Sequence, residues 1–118
     1  MVVSPIEDLR FLCVESLKEE GYDADSSEKP EEAFKFLEHE HYDAVLADDR
    51  LGRRVLNGCI DHKHAIPFLR NVKARNSRVI TLMMQASESG LDRPDYVHVI
   101  QKPFGLDKLE EFMGTYLP

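Results

Sequence analysis

Cysteine, tryptophan, long apolar runs and positive charge are all scarce in this chain of 118 residues. It has no tryptophan and only two cysteines, Cys13 and Cys59, which are too few and too far apart for a disulfide framework. Cys13 falls at an apolar position of a helical pattern and reads as core. The longest uninterrupted apolar runs are a few residues, far short of a membrane-spanning helix. The start, Met1-Val2-Val3-Ser4-Pro5, lacks the basic region followed by an apolar one that marks a secretory leader. These absences argue for a cytoplasmic protein with no membrane partner. Lys and Arg together number 15 against 22 Asp and Glu, for a net charge of -7, so no nucleic-acid surface is expected. A protein partner fits that balance better. A glycine-rich phosphate loop and a nucleophile elbow are both missing, which excludes the commonest signatures of an enzyme with its own chemistry.

What is present is a globular composition, with 42% apolar and 31% charged residues in a length that suits a single domain over residues 1–118. Met1-Val2-Val3 reads as a short first strand closed by Ser4-Pro5. From Ile6 to Glu20 the residues Ile6, Leu9, Leu12, Cys13 and Leu17 recur with helical spacing and predict one buried stripe, with Gly21 as the stop. Tyr22 to Ser26 alternates and suits an edge strand. Pro30 opens a second helix whose apolar face is Ala33, Phe34, Phe36 and Leu37.

Tyr42-Asp43-Ala44-Val45-Leu46-Ala47-Asp48-Asp49 is the centre of the pattern. Its apolar run predicts a strand buried on both faces, and its C-terminal end delivers carboxylates to the edge where parallel sheets place their chemistry. Arg50 to His64 has two glycines, an Asn-Gly pair and no sustained period, and reads as a long loop. A third helix follows, with Pro67 near its start and Ile66, Phe68, Leu69 and Val72 inside. Val79 to Met84 predicts the fourth strand, and Gln85 to Asp95 leaves room for only a shortened fourth helix. Tyr96 to Ile100 is the fifth strand, Lys102 to Gly105 a turn, and Leu106 to Leu117 an amphipathic helix with Leu109, Phe112, Met113 and Tyr116 inside. Strands alternating with helices imply an α/β, doubly wound, three-layer domain with a five-stranded parallel sheet.

Tyr42-Asp43, four apolar residues, Asp48, and some fifty residues on Lys102-Pro103-Phe104 with Leu106-Asp107-Lys108-Leu109 together resemble the receiver domain of bacterial two-component response regulators. The resemblance spans essentially the whole chain and implies a sheet in the order 2-1-3-4-5, the flavodoxin-like arrangement. It also implies that Asp48 occupies the position that accepts a phosphoryl group from a histidine kinase, that Lys102 is the phosphate-contacting lysine, and that Lys102-Pro103 forms a cis bond. Phosphoryl transfer of this kind needs positive charge around the transferred group.

Several positions depart from the family pattern. The acidic pair that would hold Mg²⁺ after the first strand is replaced by Ser4-Pro5, and Glu7 and Asp8 belong to the first helical turn, pointing away. Asp48, with Asp49 as helper, therefore makes a weak metal site, and no cofactor is expected beyond weakly held Mg²⁺. The hydroxyl position ending the fourth strand is Met83, followed by Met84, and the aromatic position three residues before the lysine is Val99. The loop after Asp48 is basic at its start. Either Arg50, Arg53 or Arg54 pairs with Asp48 or Asp49 in place of a metal ion, or, the simpler reading, all three are solvated.

The expected function is that of an atypical, degenerate receiver domain, a pseudo-receiver that acts through contact with a signalling protein, a histidine kinase or downstream effector. With the chain closing at Pro118, a stand-alone monomer or homodimer is expected. A working phosphoacceptor at Asp48 is the alternative. Cys59, His62 and His64, with His39 and His41 near in sequence, offer a further alternative as metal ligands, although their spacing fits no standard zinc pattern and a polar loop is simpler. Tyr96, His98 and Tyr116 are open to either a surface or a buried role.

Overall fold

The computed structural model describes residues 1–48, 55–56, 59–60, 65–85, 95–101 and 106–117. Its strands are β1 (Val2–Val3), β2 (Ser26–Ser27), β3 (Ala44–Asp48), β4 (Val55–Leu56), β5 (Cys59–Ile60), β6 (Ile80–Gln85) and β7 (Val97–Gln101). The helices among the described residues are α1 (Glu7–Glu19), α2 (Pro30–His39), α3 (Ala65–Arg75) and α4 (Leu106–Tyr116). Five strands form one parallel sheet in the order β2-β1-β3-β6-β7, which is the expected 2-1-3-4-5 winding of a receiver-type sheet. The shortened fourth helix and the Lys102 turn lie outside the described residues.

Alternation along the strands sorts the core into two layers. Val3, Val45, Ala47, Val79, Met83 and Val97 face Ala33, Ile66, Phe68, Leu69 and Val72 of α2 and α3. Val2, Ala44, Leu46, Leu82, Met84 and Ile100 face Cys13 and Leu17 of α1 and Leu109 and Met113 of α4. All five residues of β3 are buried, the reason its sequence shows no solvated alternation. A fully buried leucine such as Leu46 contributes about 1.5–3 kcal/mol.

Four sequence expectations need correction. Arg50 to His64 is not all loop: β4 and β5 pair antiparallel, Val55 with Ile60 and Leu56 with Cys59. Asn57-Gly58 between them is the strongest short-range hairpin signal, and the paired segments are simply very short. The edge strand is not Tyr22–Ser26 but Ser26–Ser27, because β1 offers only Val2 and Val3 as partners. Leu12 fits the buried stripe that the sequence predicts for the first helix yet is 50% exposed, since α1 packs inward through Cys13, Ser16 and Leu17. Tyr116 is likewise 42% exposed, its ring resting on His98 at 4.3 Å and on Phe112 at 4.7 Å instead of entering the core.

Candidate functional site

Register brings the site together. Val3 pairs with Ala47, so the next residues on the two strands, Ser4 and Asp48, leave the sheet side by side. Both are fully buried. The Ser4 hydroxyl donates to Asp48 Oδ2 at 2.7 Å, a charge-assisted bond with the short distance expected of an O–H donor on a carboxylate. The same oxygen accepts from the backbone N–H of Ile6 at 3.0 Å, at the entrance to α1. Arg10, one turn into that helix, donates from Nη1 to the Ser4 carbonyl at 2.6 Å. The Ser4 N–H donates to the Ser27 carbonyl at 3.0 Å. Every polar atom of Ser4 is therefore engaged, each with a different element or connection.

On the other side of Asp48, β6 sets Met84 in register with it, and Met83 lies one step earlier with its side chain in the opposite core layer. Gln85 is the next strand residue and pairs with Gln101 of β7. Val99, half-buried, packs against the layer that holds Met83. Glu7 and Asp8 are exposed in the first turn of α1. Thr81, the hydroxyl of β6, is spent on the Tyr96 carbonyl at 2.7 Å, four residues before the strand end.

Lys102, Asp49, Arg50, Arg53, Arg54, His62 and His64 lie outside the described residues, as does the side chain of Cys59. Among the described residues no group of three or more His, Cys, Asp or Glu side chains is placed to hold a metal ion. At the Asp48 end those residues contribute one carboxylate and a hydroxyl that donates into it. A Mg²⁺ site calls for oxygen donors turned towards the ion and for carboxylate charge, and a serine proton turned onto the carboxylate is the reverse of that. The sequence marked Ser4 only as a missing acid. Its role as donor follows from strand register, a signal present in the pairing of Val2-Val3 with Leu46-Ala47.

The opposite end of the sheet has its own polar group. Tyr42 donates its phenol to Asp25 Oδ2 at 2.6 Å and to Glu40 at 3.3 Å, and burial, followed by the Asp25 bond, pushes its pKa well above the ordinary value.

Solved structures with this architecture carry the comparison. The receiver domain of NtrX from Brucella abortus superposes with a TM-score of 0.78 at 22% identity, over 98% of this chain and 95% of that one. This is the receiver-domain fold. The chemotaxis response regulator CheY4 of Vibrio cholerae matches with a TM-score of 0.75 at 17% identity, again over 98% and 95% of the two chains. A response regulator receiver modulated diguanylate cyclase from Pelobacter carbinolicus gives 0.69 at 19% identity, covering 98% and 88%. Against the longer NtrX structure with bound ADP, this receiver-fold chain spans about a quarter of the length, with a TM-score of 0.79 at 22% identity. No family model and no curated protein sequence matches the chain.

Proposed function

We propose that this chain is a receiver-like module of a bacterial two-component pathway that acts through protein contact and does not depend on Mg²⁺-assisted phosphorylation. The observation that carries this reading is the Ser4 to Asp48 bond: the carboxylate at the phosphoacceptor position is buried, and one of its oxygens is held by a neutral hydroxyl at 2.7 Å. An in-line attack on a phosphoryl donor needs a carboxylate oxygen open to the donor and cationic charge beside it. Most of the rate enhancement in such transfers is electrostatic, and a serine supplies no charge. The methionines at 83 and 84 add nothing that would bond a phosphoryl oxygen, since both are buried in the core layers. Lys102 in this reading is a charge partner for the strand end. The signalling protein contacted is a histidine kinase or a downstream effector.

Amide NMR spectra recorded with Mg²⁺ and beryllofluoride, and separately with acetyl phosphate, test the reading. The expected result is no change at Asp48, Ser4 or Met84 beyond that caused by salt alone. Large, saturable shifts at those amides would establish a working phosphoacceptor and overturn the proposal.

A further inference from the structure

We propose that a cavity at the N-terminal end of the sheet binds a small organic amine, with the ammonium group held by a carboxylate rim and the hydrocarbon body set on an apolar floor. Ala44, which opens β3, lines this cavity, so the site lies at the opposite end of that strand from Asp48 and is independent of how Asp48 is read.

The cavity has a volume of about 340 Å³, at the lower end of the range of small-molecule sites. Leu17 of α1, Leu46 of β3 and Met113 of α4 line it as buried side chains, with Leu117 just past the end of α4. They supply an apolar surface for a hydrocarbon body. The polar part of the lining is acidic: Asp23, Asp25, Glu40 and Asp43 contribute carboxylates, and no Lys or Arg joins them among the described residues. Tyr42 fixes part of this rim, its phenol donating to Asp25 at 2.6 Å and to Glu40 at 3.3 Å. Helix direction adds to the charge. α1 ends at Glu19 and α4 at Tyr116, and Gly21, Tyr22 and Leu117 line the cavity just beyond those ends. A helix C-terminus carries about half a negative charge, so both dipoles favour a cation there.

His41 and the Met1 amine are the basic groups at this rim, and neither cancels it. His41 pairs with Asp43 at 3.3 Å on the exposed side. The Met1 amine donates to the Ala44 carbonyl at 3.1 Å, and burial lowers its pKa to about 6 against the pull of Asp25 and Asp43, which leaves it mostly uncharged at neutral pH. The same lining excludes other occupants. An anion meets like charge. A bare metal ion needs several ligands in one place, and among the described residues no group of three or more His, Cys, Asp or Glu side chains is so arranged. A cation without a hydrocarbon body leaves the leucines and Met113 uncovered. An amine that carries such a body satisfies both parts of the surface.

The test titrates hexylammonium chloride into the full chain while amide shifts are followed, with hexanol, sodium hexanoate and putrescine as counterparts. The expected outcome is saturable shifts at Gly21, Tyr22, Ala44 and Leu117, with Ser4 and Met84 at the other end of the sheet unmoved. Hexanol, hexanoate and putrescine should each bind about tenfold more weakly or worse, since the first lacks the charge, the second reverses it and the third lacks an uncharged end to set on the floor. Asp23→Asn/Asp43→Asn should weaken hexylammonium binding by about fivefold, the scale of two solvent-facing ion pairs, and leave hexanol binding unchanged. Both carboxylates are exposed, so the amide spectrum of that variant should otherwise match the parent. Equal binding of hexanol or hexanoate, tighter binding of putrescine, shifts spread over the acidic surface away from the cavity, or unchanged hexylammonium affinity in the doubly substituted chain would each overturn the proposal.

Discussion

Replacing Ser4 by alanine tests the site most directly. The change removes a hydroxyl that donates to a fully buried carboxylate at 2.7 Å and accepts from the Ile6 N–H at 3.0 Å. A hydrogen bond to a charged group contributes about 1.5–3 kcal/mol, and a neutral backbone bond about 0.5–1.5 kcal/mol. Asp48 stays out of water in the variant while losing a donor, so the first figure applies with little relief from solvent. The expected loss is about 2–4 kcal/mol, which for a domain of this size lowers the melting temperature by roughly 8–15 °C. Urea unfolding followed by circular dichroism reads the stability. A cycle with Asp48→Asn isolates the pair, and its coupling energy should exceed about 1 kcal/mol. Ser4→Asp supplies a useful contrast. It sets two carboxylates side by side, so that variant should lie below wild type in stability and recover when Mg²⁺ is added. If Ser4→Ala unfolds within about 0.5 kcal/mol of wild type, the scale of an ordinary surface change, the site does not work as described.

Three further outcomes follow from the same structure. Ser16 is buried in α1 and its hydroxyl has no hydrogen-bond partner among the described residues, so Ser16→Ala should raise stability by about 1 kcal/mol in urea unfolding, through removal of an unsatisfied group and a better helix former. Leu46→Ala, at a position sealed between β1, β6 and the α1/α4 layer, should cost about 2–5 kcal/mol, whereas Leu12→Ala should stay within about 0.5 kcal/mol; the same unfolding series compares them. Tyr42 has a folded pKa raised above its ordinary 10.0, so its contribution to stability is complete below that pH and is lost as pH rises through the folded value. Absorbance titration at alkaline pH should show one late phenol that Tyr42→Phe removes, with about 0.5–1 kcal/mol of stability lost at neutral pH through the Asp25 bond.

The sheet was legible in the sequence because its central strands are buried on both faces and carry unbroken apolar runs. Ala44–Asp48 shows this most clearly, and its end at Asp48 agrees with the observed strand. Edges and surfaces were less legible. Leu12 fits the helical stripe as well as Cys13 does, but α1 turns Cys13, Ser16 and Leu17 inward and leaves Leu12 in water. Tyr116 fits the stripe of α4 and is held outside by stacking on His98. The β4–β5 ladder had its Asn-Gly signal, but two residues on each side are too few for alternation to register. Ser4 carried the most misleading signal, since a substitution away from an acid reads as a loss. Which polar group a strand end offers is visible in a sequence, whereas the group it will face is set by a register between residues 44 positions apart.

Ser4 also has a kinetic consequence. Its four hydrogen bonds run to the Asp48 end of β3, to Ser27 at the end of β2, to Ile6 at the entrance to α1 and to Arg10 within that helix. No one of these can open alone without leaving its partners stranded, so the Ser4 and Ile6 amides should exchange with solvent only when the whole corner separates. Hydrogen exchange at those two amides should therefore track opening of the corner as a unit and not fraying of α1 alone.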